Sequence, residues 1–157
     1  MRVQIFNATG LLGKADTIMH FAKSNNIDIA VTMETWLAAE STIPLKPHLI
    51  NITNDKTGLI TGGHRAQGGI LVNSFSHAYR HFTCSTLSAL NNCAVVMETA
   101  DLTLIFAYLP PSLPDTCVEE LIQLAENTIR GRQRRCVIAG DLNARSVEAF
   151  GDHTSTP

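Results

Sequence analysis

The sequence predicts an α/β protein with one hydrophobic core. Two segments, about Lys14–Ser24 and Pro114–Gly131, carry apolar residues at the spacing of an amphipathic helix. Short apolar runs typical of β-strands lie before, between and after them. The chain has 157 residues, of which 45% are hydrophobic. This length is enough for one hydrophobic core and too short for two domains with a core each, so we expect a single domain over residues 1–157.

The N-terminal part predicts a strand, a helix and a second strand. Arg2–Phe6 has the apolar alternation of a strand and ends at Asn7. The helix predicted from Lys14 to Ser24 follows a glycine-containing turn. Ile27–Met33 then reads as a second strand, which places Glu34 at its end.

The middle of the chain carries weaker signals. Proline and glycine punctuate residues 38–69, which predicts loops and brief strands such as Leu49–Thr53. The glycine-rich stretch before residue 70 contains His64 and Arg65, which are candidates for contact with a substrate. Three further strands are predicted, and the last of them leads into Tyr108. They cover Ile70–Val72, Ala94–Thr99 and Leu102–Ala107.

A short apolar run follows the second helix. Cys136–Ala139 has the length and composition of a strand buried on both faces. It stops at Gly140 and Asp141, and Asn143 comes two residues later. A Gly-Asp pair after a strand is also common in ordinary turns, so this stretch alone leaves a turn and a binding site equally open.

Polar side chains stand at the ends of four predicted strands. They are Asn7, Glu34, Tyr108, and the pair Asp141 and Asn143. If these strands end on one side of the fold, the side chains converge on a single rim. Two acids, two amides and a phenol are the groups that one divalent cation and a phosphate ester require.

Charge and cysteine content exclude several classes of protein. The formal net charge is −2, so any contact with nucleic acid must be local. The four cysteines have neither CxxC nor zinc-ligand spacing, which predicts buried free thiols in a reducing compartment. No stretch approaches the ~20 apolar residues of a membrane span. We expect a soluble intracellular protein of the nucleus or cytoplasm, with no membrane partner.

Four motifs occur in a distinctive order along the chain. Asn7 follows the first strand, and Glu34-Thr35-Trp36 follows the second. Tyr108-Leu109-Pro110-Pro111 follows a long β segment, and Gly140-Asp141-Leu142-Asn143-Ala144 follows the last strand. This ordered set resembles the endonuclease/exonuclease/phosphatase family, as does the glycine pair in Arg65–Val72. More narrowly, nearly the whole chain is similar to the abasic-endonuclease-like domain that precedes the reverse transcriptase of non-LTR (LINE-type) retrotransposons.

The resemblance implies a four-layer αββα sandwich, two packed mixed β-sheets flanked by helices, that cuts DNA with Mg²⁺, or with Mn²⁺ in its place. It implies that Glu34 is the principal metal ligand, with Asp141 beside it and Asn7 supporting the metal or the phosphate. Tyr108 would donate a hydrogen bond to the scissile phosphate. Asp141 would orient or deprotonate the attacking water, and Asn143 would hold the phosphate or Asp141. The implied partner is a reverse-transcriptase domain of the same element.

The sequence departs from the family's pattern after Asn143. Family members continue through further strands to a final Asp and His, whereas this sequence ends at Pro157. Asp152 and His153 follow Asn143 too closely to leave room for a strand. We therefore expect an incomplete domain without its C-terminal strands, with an unpaired sheet edge. We also expect very low nuclease activity, since losing one donor aimed at developing charge typically costs ~10²–10³ in rate.

Two interpretations outside this class stay open. Phe6–Gly13 and Glu34 resemble the glycine-rich turn and ribose-binding acid of NAD(P)-binding Rossmann proteins, although Asn7 stands where the first glycine belongs. The chain would alternatively be a non-catalytic remnant of the endonuclease fold. Within the enzyme class, a small-molecule or lipid phosphoesterase would use the same core residues.

Overall fold

A computed structural model describes residues 1–36, 49–52, 69–75, 83–86, 93–109, 115–132 and 135–143. These residues form eight strands and two helices, so the fold class is α/β. In chain order the elements are β1 (Val3–Asn7), α1 (Ala15–Ser24), β2 (Ile29–Met33), β3 (Leu49–Ile52), β4 (Ile70–Ser74), β5 (Thr83–Thr86), β6 (Ala94–Glu98), β7 (Leu102–Tyr108), α2 (Asp115–Arg132) and β8 (Arg135–Asp141).

The strands form two mixed sheets of four strands each. The strand order is β1-β2-β4-β3 in the first sheet and β5-β6-β7-β8 in the second. In the first, β1 is parallel to β2, with Asn7 opposite Met33. In the second, β7 is parallel to β8, with Tyr108 opposite Asp141. All other neighbours are antiparallel. Each parallel pair is connected through a helix, as a parallel crossover requires, and so each pair ends at a common edge.

The largest apolar cluster lies between the two sheets. It takes alternate residues from the strands of both, because successive side chains on a strand point to opposite faces. Its buried members are Ile29, Val31, Met33, Ile70, Val72, Val95, Met97, Leu104, Phe106 and Tyr108. The two sheets therefore pack face to face.

The helices cover the faces turned away from this shared core. On α2, Cys117, Leu121 and Ala125 pack against strand residues such as Ile105, which alternates with the inward-facing Phe106. On the first sheet, α1 contributes Ile18 to a smaller cluster that includes Leu11 and Leu71. Each helix buries only part of its predicted apolar face. Phe21 on α1 and Val118, Ile122 and Ile129 on α2 are exposed.

Most predicted elements are present with boundaries shifted by one or two residues. The first helix begins at Ala15 instead of Lys14, and β2 begins at Ile29 instead of Ile27. Strand β5 was not predicted, because Thr83–Thr86 consists mostly of polar residues and contains no apolar run. His64, Arg65, Asp152 and His153 lie outside the described residues.

The prediction that the last strand is buried on both faces is wrong. Val137 is 45% exposed, and β8 has β7 as its single neighbour among the described strands. Ile5 on β1, at the edge of the first sheet, is 38% exposed. Both residues are apolar strand residues at a sheet edge, where no described strand covers them. An apolar run reveals what a strand could bury, but burial also depends on which neighbours are present.

Three further expectations meet the structure directly. Among the described residues, Cys93 and Cys117 are buried and form no disulfide bond, as predicted, and Cys136 is half-buried and also forms none. No helix among the described residues is long and apolar enough to cross a bilayer. The single parallel sheet of a dinucleotide-binding protein is not found in the described part of the chain, because β4, the second neighbour of β2, runs antiparallel.

Candidate functional site

Four side chains from the ends of four strands meet at one place. Asn7 and Tyr108 end β1 and β7, Asp141 ends β8, and Glu34 directly follows β2. The side-chain nitrogen of Asn7, Nδ2, donates to Glu34 Oε1 and to Asp141 Oδ2, at 2.8 Å each. Those two oxygens therefore lie no more than two hydrogen-bond lengths apart, although their strands belong to different sheets.

Asn7 is oriented by the loop that follows it. Its Oδ1 accepts hydrogen bonds from the backbone N–H of Thr9 at 3.0 Å and from the Thr9 hydroxyl at 3.3 Å. This is an Asx turn, which the Asn-Ala-Thr-Gly sequence favours. Lys14 donates from its ammonium to the carbonyl groups of Ala8 and Thr9. Because the amide oxygen is engaged, Asn7 offers the carboxylates its nitrogen, and binding a cation would require the amide to turn over.

Glu34 sits in a backbone conformation that side chains rarely adopt. Its φ is +51°, and that of Trp36 is +50°. The neighbouring loop holds this segment, with Gly10 N–H donating to the Glu34 carbonyl at 2.8 Å and Leu11 N–H donating to the Thr35 carbonyl at 2.9 Å. Strain of this kind persists only where surrounding structure over-determines it, and it concentrates at functional sites.

Tyr108 forms the buried base of the site. It is 8% exposed, and its hydroxyl donates a hydrogen bond to Glu34. Burial raises the pKa of Tyr108 well above its ordinary value, and the hydrogen bond to Glu34 and the negative charges of Glu34 and Asp141 raise it further. The phenol is therefore neutral at any physiological pH and remains a hydrogen-bond donor.

Asn143 anchors the turn after β8. Its backbone N–H donates to Asp141 Oδ1 at 3.2 Å, and its side-chain nitrogen donates to the Leu109 carbonyl at 2.9 Å. Leu109 N–H donates in turn to the Asp141 carbonyl at 2.9 Å. Asn143 thus contacts Asp141 through its backbone and ties the ends of β7 and β8 together through its side chain.

Two contributors to the site were not found from the sequence. Thr9 fixes the amide of Asn7, and the Asx-turn pattern two residues after Asn7 was the available signal. Met33 accepts a hydrogen bond from the backbone N–H of Asp141. Met33 gave no signal, because a methionine within an apolar strand looks like any other core residue.

The donor set fits a hard divalent cation such as Mg²⁺. Mg²⁺ is commonly held by one or two carboxylates together with waters and substrate phosphates, and Glu34 and Asp141 supply two adjacent carboxylates. Within the described part of the chain, no group of three or more His, Cys, Asp or Glu side chains could hold a metal ion.

Comparison with known proteins identifies the family. The family model described as Endonuclease/Exonuclease/phosphatase family matches residues 3–156, nearly the whole chain. No curated protein matches the sequence significantly.

Solved structures give the same fold at low sequence identity. An AP endonuclease from Archaeoglobus fulgidus matches with a TM-score of 0.62 and 14% identity, over 98% of this chain and 64% of that chain. A variant of the 3′ phosphatase NExo from Neisseria, bound to a product DNA hairpin, matches with a TM-score of 0.59 and 14% identity. The match covers 89% of this chain and 56% of that chain. The 3′-5′ exonuclease NExo from Neisseria meningitidis matches with a TM-score of 0.58 and 18% identity, over 91% of this chain and 58% of that chain. This chain thus spans less than two thirds of the length of these structures.

Proposed function

This chain belongs to the endonuclease/exonuclease/phosphatase family, and from that premise we propose that its four converging side chains form a metal-dependent phosphodiesterase site. One observation carries the proposal. A single amide nitrogen on Asn7 joins Glu34 and Asp141 at 2.8 Å each. Two carboxylates held this close repel each other unless donors or a cation lie between them, which is the arrangement that favours binding of a divalent ion.

Glu34 and Asp141 would hold Mg²⁺, or Mn²⁺ in its place, with Glu34 as the principal ligand. The bound ion would supply charge stabilisation at the phosphoryl oxygens and at the leaving oxygen. Glu34 is suited to this position because the loop fixes its backbone and the Tyr108 hydroxyl orients its carboxylate. Asn7 would then be released from one or both carboxylates, and its N–H groups would be available to a phosphate oxygen.

The remaining residues act on the attacking water and the phosphate. Asp141, held by the backbone N–H of Asn143, would orient the water and accept its proton. Tyr108, neutral because its pKa is raised, would turn its single O–H from Glu34 to a phosphate oxygen once the substrate binds. Asn143 would keep Asp141 in place through the turn that it anchors on Leu109. The water attacks phosphorus, the P–O bond to the leaving group breaks, and the leaving oxygen takes up a proton.

DNA is the proposed substrate. The order of motifs resembles the DNA-cutting branch of the family, and one structurally similar protein was solved with a DNA hairpin bound. With a net charge of −2, the chain offers no broad positive surface, so recognition would depend on local contacts around the site. We further propose an origin in a non-LTR retrotransposon, with the element's reverse transcriptase as the natural partner. This rests on the resemblance of the motifs.

We propose that the 157 residues are one incomplete domain of the four-layer αββα type. The exposed Ile5 and Val137 support this. They lie on edge strands, two residues from Val3 and Ala139, which pack against the shared core, and so they share the inward face of their strands. The proposal also predicts slow cleavage by the chain taken alone. By the resemblance, catalysis also uses a final Asp and His, and each donor missing from such a site typically costs ~10²–10³ in rate.

Nicking of supercoiled plasmid DNA, combined with calorimetric titration of Mg²⁺, tests the proposal. We expect that Mg²⁺ binds the chain and that the chain nicks the plasmid slowly, in a reaction that a chelator abolishes. Glu34→Ala should lose both Mg²⁺ binding and nicking. The matched control is Glu119→Ala, an exposed glutamate on α2, which should behave as the parent.

The possible outcomes separate the alternatives. Mg²⁺ binding that Glu34→Ala leaves unchanged would contradict the proposed site. Mg²⁺ binding at Glu34 without any nicking would favour the non-catalytic remnant. Rapid nicking by the chain alone, lost in Glu34→Ala, would overturn the expectation of an impaired enzyme. A rise in nicotinamide fluorescence on adding NADPH would instead support a dinucleotide-binding protein.

A further inference from the structure

Met33 connects the two sheets next to the site. It is the last residue of β2, it directly precedes Glu34, and it is fully buried. Its thioether sulfur, Sδ, accepts a hydrogen bond from the backbone N–H of Asp141 at 3.2 Å. The first sheet, which carries Glu34, therefore contacts the second sheet at the residue that carries the other carboxylate.

The contact depends on the absence of a side chain at Gly140. A Cβ placed on Gly140 would lie 2.8 Å from the Met33 methyl carbon, Cε, and 1.9 Å from the Ala107 carbonyl oxygen. Real Cβ atoms essentially never approach other atoms so closely. Glycine at this position therefore lets the methionine reach the backbone of β8 immediately before Asp141.

The thioether is chemically suited to this place. The Asp141 N–H is partly buried, and a buried N–H without a partner is costly. Sulfur accepts a weak hydrogen bond and carries no charge, so it satisfies the N–H without competing with the Asp141 carboxylate for a cation. Met33 also packs in the shared core, which fixes the side chain that makes the contact.

We propose that Met33 is a positioning residue for Asp141. By holding the Asp141 backbone through its N–H, it sets the distance between the Asp141 and Glu34 carboxylates. This inference rests on the proposed metal site and assigns Met33 a role beyond core packing. Met33 touches neither the ion nor the substrate, and acts through Asp141.

Three variants separate positioning from packing. Met33→Leu keeps an apolar side chain of similar volume but removes the acceptor. Met33→Gln has the same unbranched length and restores an acceptor, its amide oxygen. Met97→Leu is the matched control, because Met97 is also fully buried in the shared core but lies on β6, which pairs with β5 and β7 and not with β8.

Each variant is measured for its affinity for Mg²⁺ alone, its thermal midpoint, and the amide resonance of Asp141 in a two-dimensional ¹H–¹⁵N spectrum. We expect Met33→Leu to weaken Mg²⁺ binding about three- to tenfold, the effect of one lost hydrogen bond, and to shift the Asp141 resonance. Met97→Leu should lower the thermal midpoint to a similar extent with unchanged Mg²⁺ affinity. Met33→Gln should recover most of the affinity.

The result that overturns the inference is parent-like Mg²⁺ affinity in Met33→Leu, or equal weakening in Met33→Leu and Met97→Leu. Either would reduce Met33 to a packing residue while leaving the metal site intact. Failure of the parent chain to bind Mg²⁺ is a separate outcome, because it contradicts the proposed function itself. In that case the resonance of Asp141 still reports whether the hydrogen bond to Met33 exists.

Discussion

The side chain of Asn7 donates a 2.8 Å hydrogen bond to Asp141, which lies 134 residues further along the chain. The same nitrogen donates to Glu34. One amide thus holds together two acids that the fold brings from different sheets, and the stability of this arrangement can be measured.

We expect Asn7→Ala to destabilise the metal-free protein by about 1 kcal/mol, since two hydrogen bonds to charged groups are lost at an exposed position. Mg²⁺ should narrow the difference from the parent, because the ion replaces the amide between the carboxylates. Urea denaturation with and without Mg²⁺ measures both effects. The control is Asn25→Ala, which removes a 2.9 Å hydrogen bond to the Phe21 carbonyl on α1. Its loss of unfolding free energy should be the same with and without Mg²⁺. The same Mg²⁺ response in both variants would contradict the prediction.

Gly140 should tolerate no side chain. Because its Cβ would overlap the Ala107 carbonyl, we expect Gly140→Ala to destabilise the protein by about 2–3 kcal/mol or to prevent folding. Gly131 on α2 has open space around its Cβ position. Gly131→Ala should therefore stabilise the helix by roughly 0.5 kcal/mol. Denaturation midpoints compare the two glycines, and a Gly140→Ala protein as stable as the parent would show that β7 and β8 are less closely apposed.

Tyr108 should make the protein sensitive to alkaline pH. Its pKa is raised on folding, so the folded state holds the phenolic proton more tightly than the unfolded state does. The corresponding stability is fully present below the unfolded pKa of about 10 and is lost as the pH rises above it. We expect Tyr108→Phe to lose less stability than the parent between about pH 9.5 and 11. Denaturation midpoints across this range test it, and parallel pH profiles would refute it.

The open sheet edge can be tested through matched valines. Val137 on β8 is 45% exposed, whereas Val95 on β6 is fully buried in the shared core. We expect Val137→Ala to cost less than about 1 kcal/mol and Val95→Ala to cost about 2 kcal/mol or more. Urea denaturation gives both values. Equal losses would mean that something covers β8 in solution.

Local pattern was sufficient for most elements of the fold. Apolar patterning predicted α1 and α2 and most strands, because each has apolar residues where it packs against the rest of the fold. It failed for β5, whose threonines and serine carry no apolar run, and for the exposure of Val137. Strand β5 forms through backbone pairing with β6, which its side chains do not indicate. The exposure of Val137 depends on which strands lie beside β8, and a local sequence pattern carries no information about that.

The candidate site divides in the same way. The positions of Asn7, Glu34, Tyr108 and Asp141 at strand ends were readable, because an apolar run that stops at a polar residue marks the end of a strand. The contact of Met33 with Asp141 was not readable.

The sequence by itself determined which residues end the strands and therefore which groups are available for chemistry. Only the tertiary structure decided that Asn7 would turn its nitrogen to both acids, that Asn143 would use its side chain on Leu109, and that Met33 would reach across to β8. The physical reason is that hydrogen-bond partners are set by the packing of two sheets against each other, and residues distant in sequence become neighbours only through that packing.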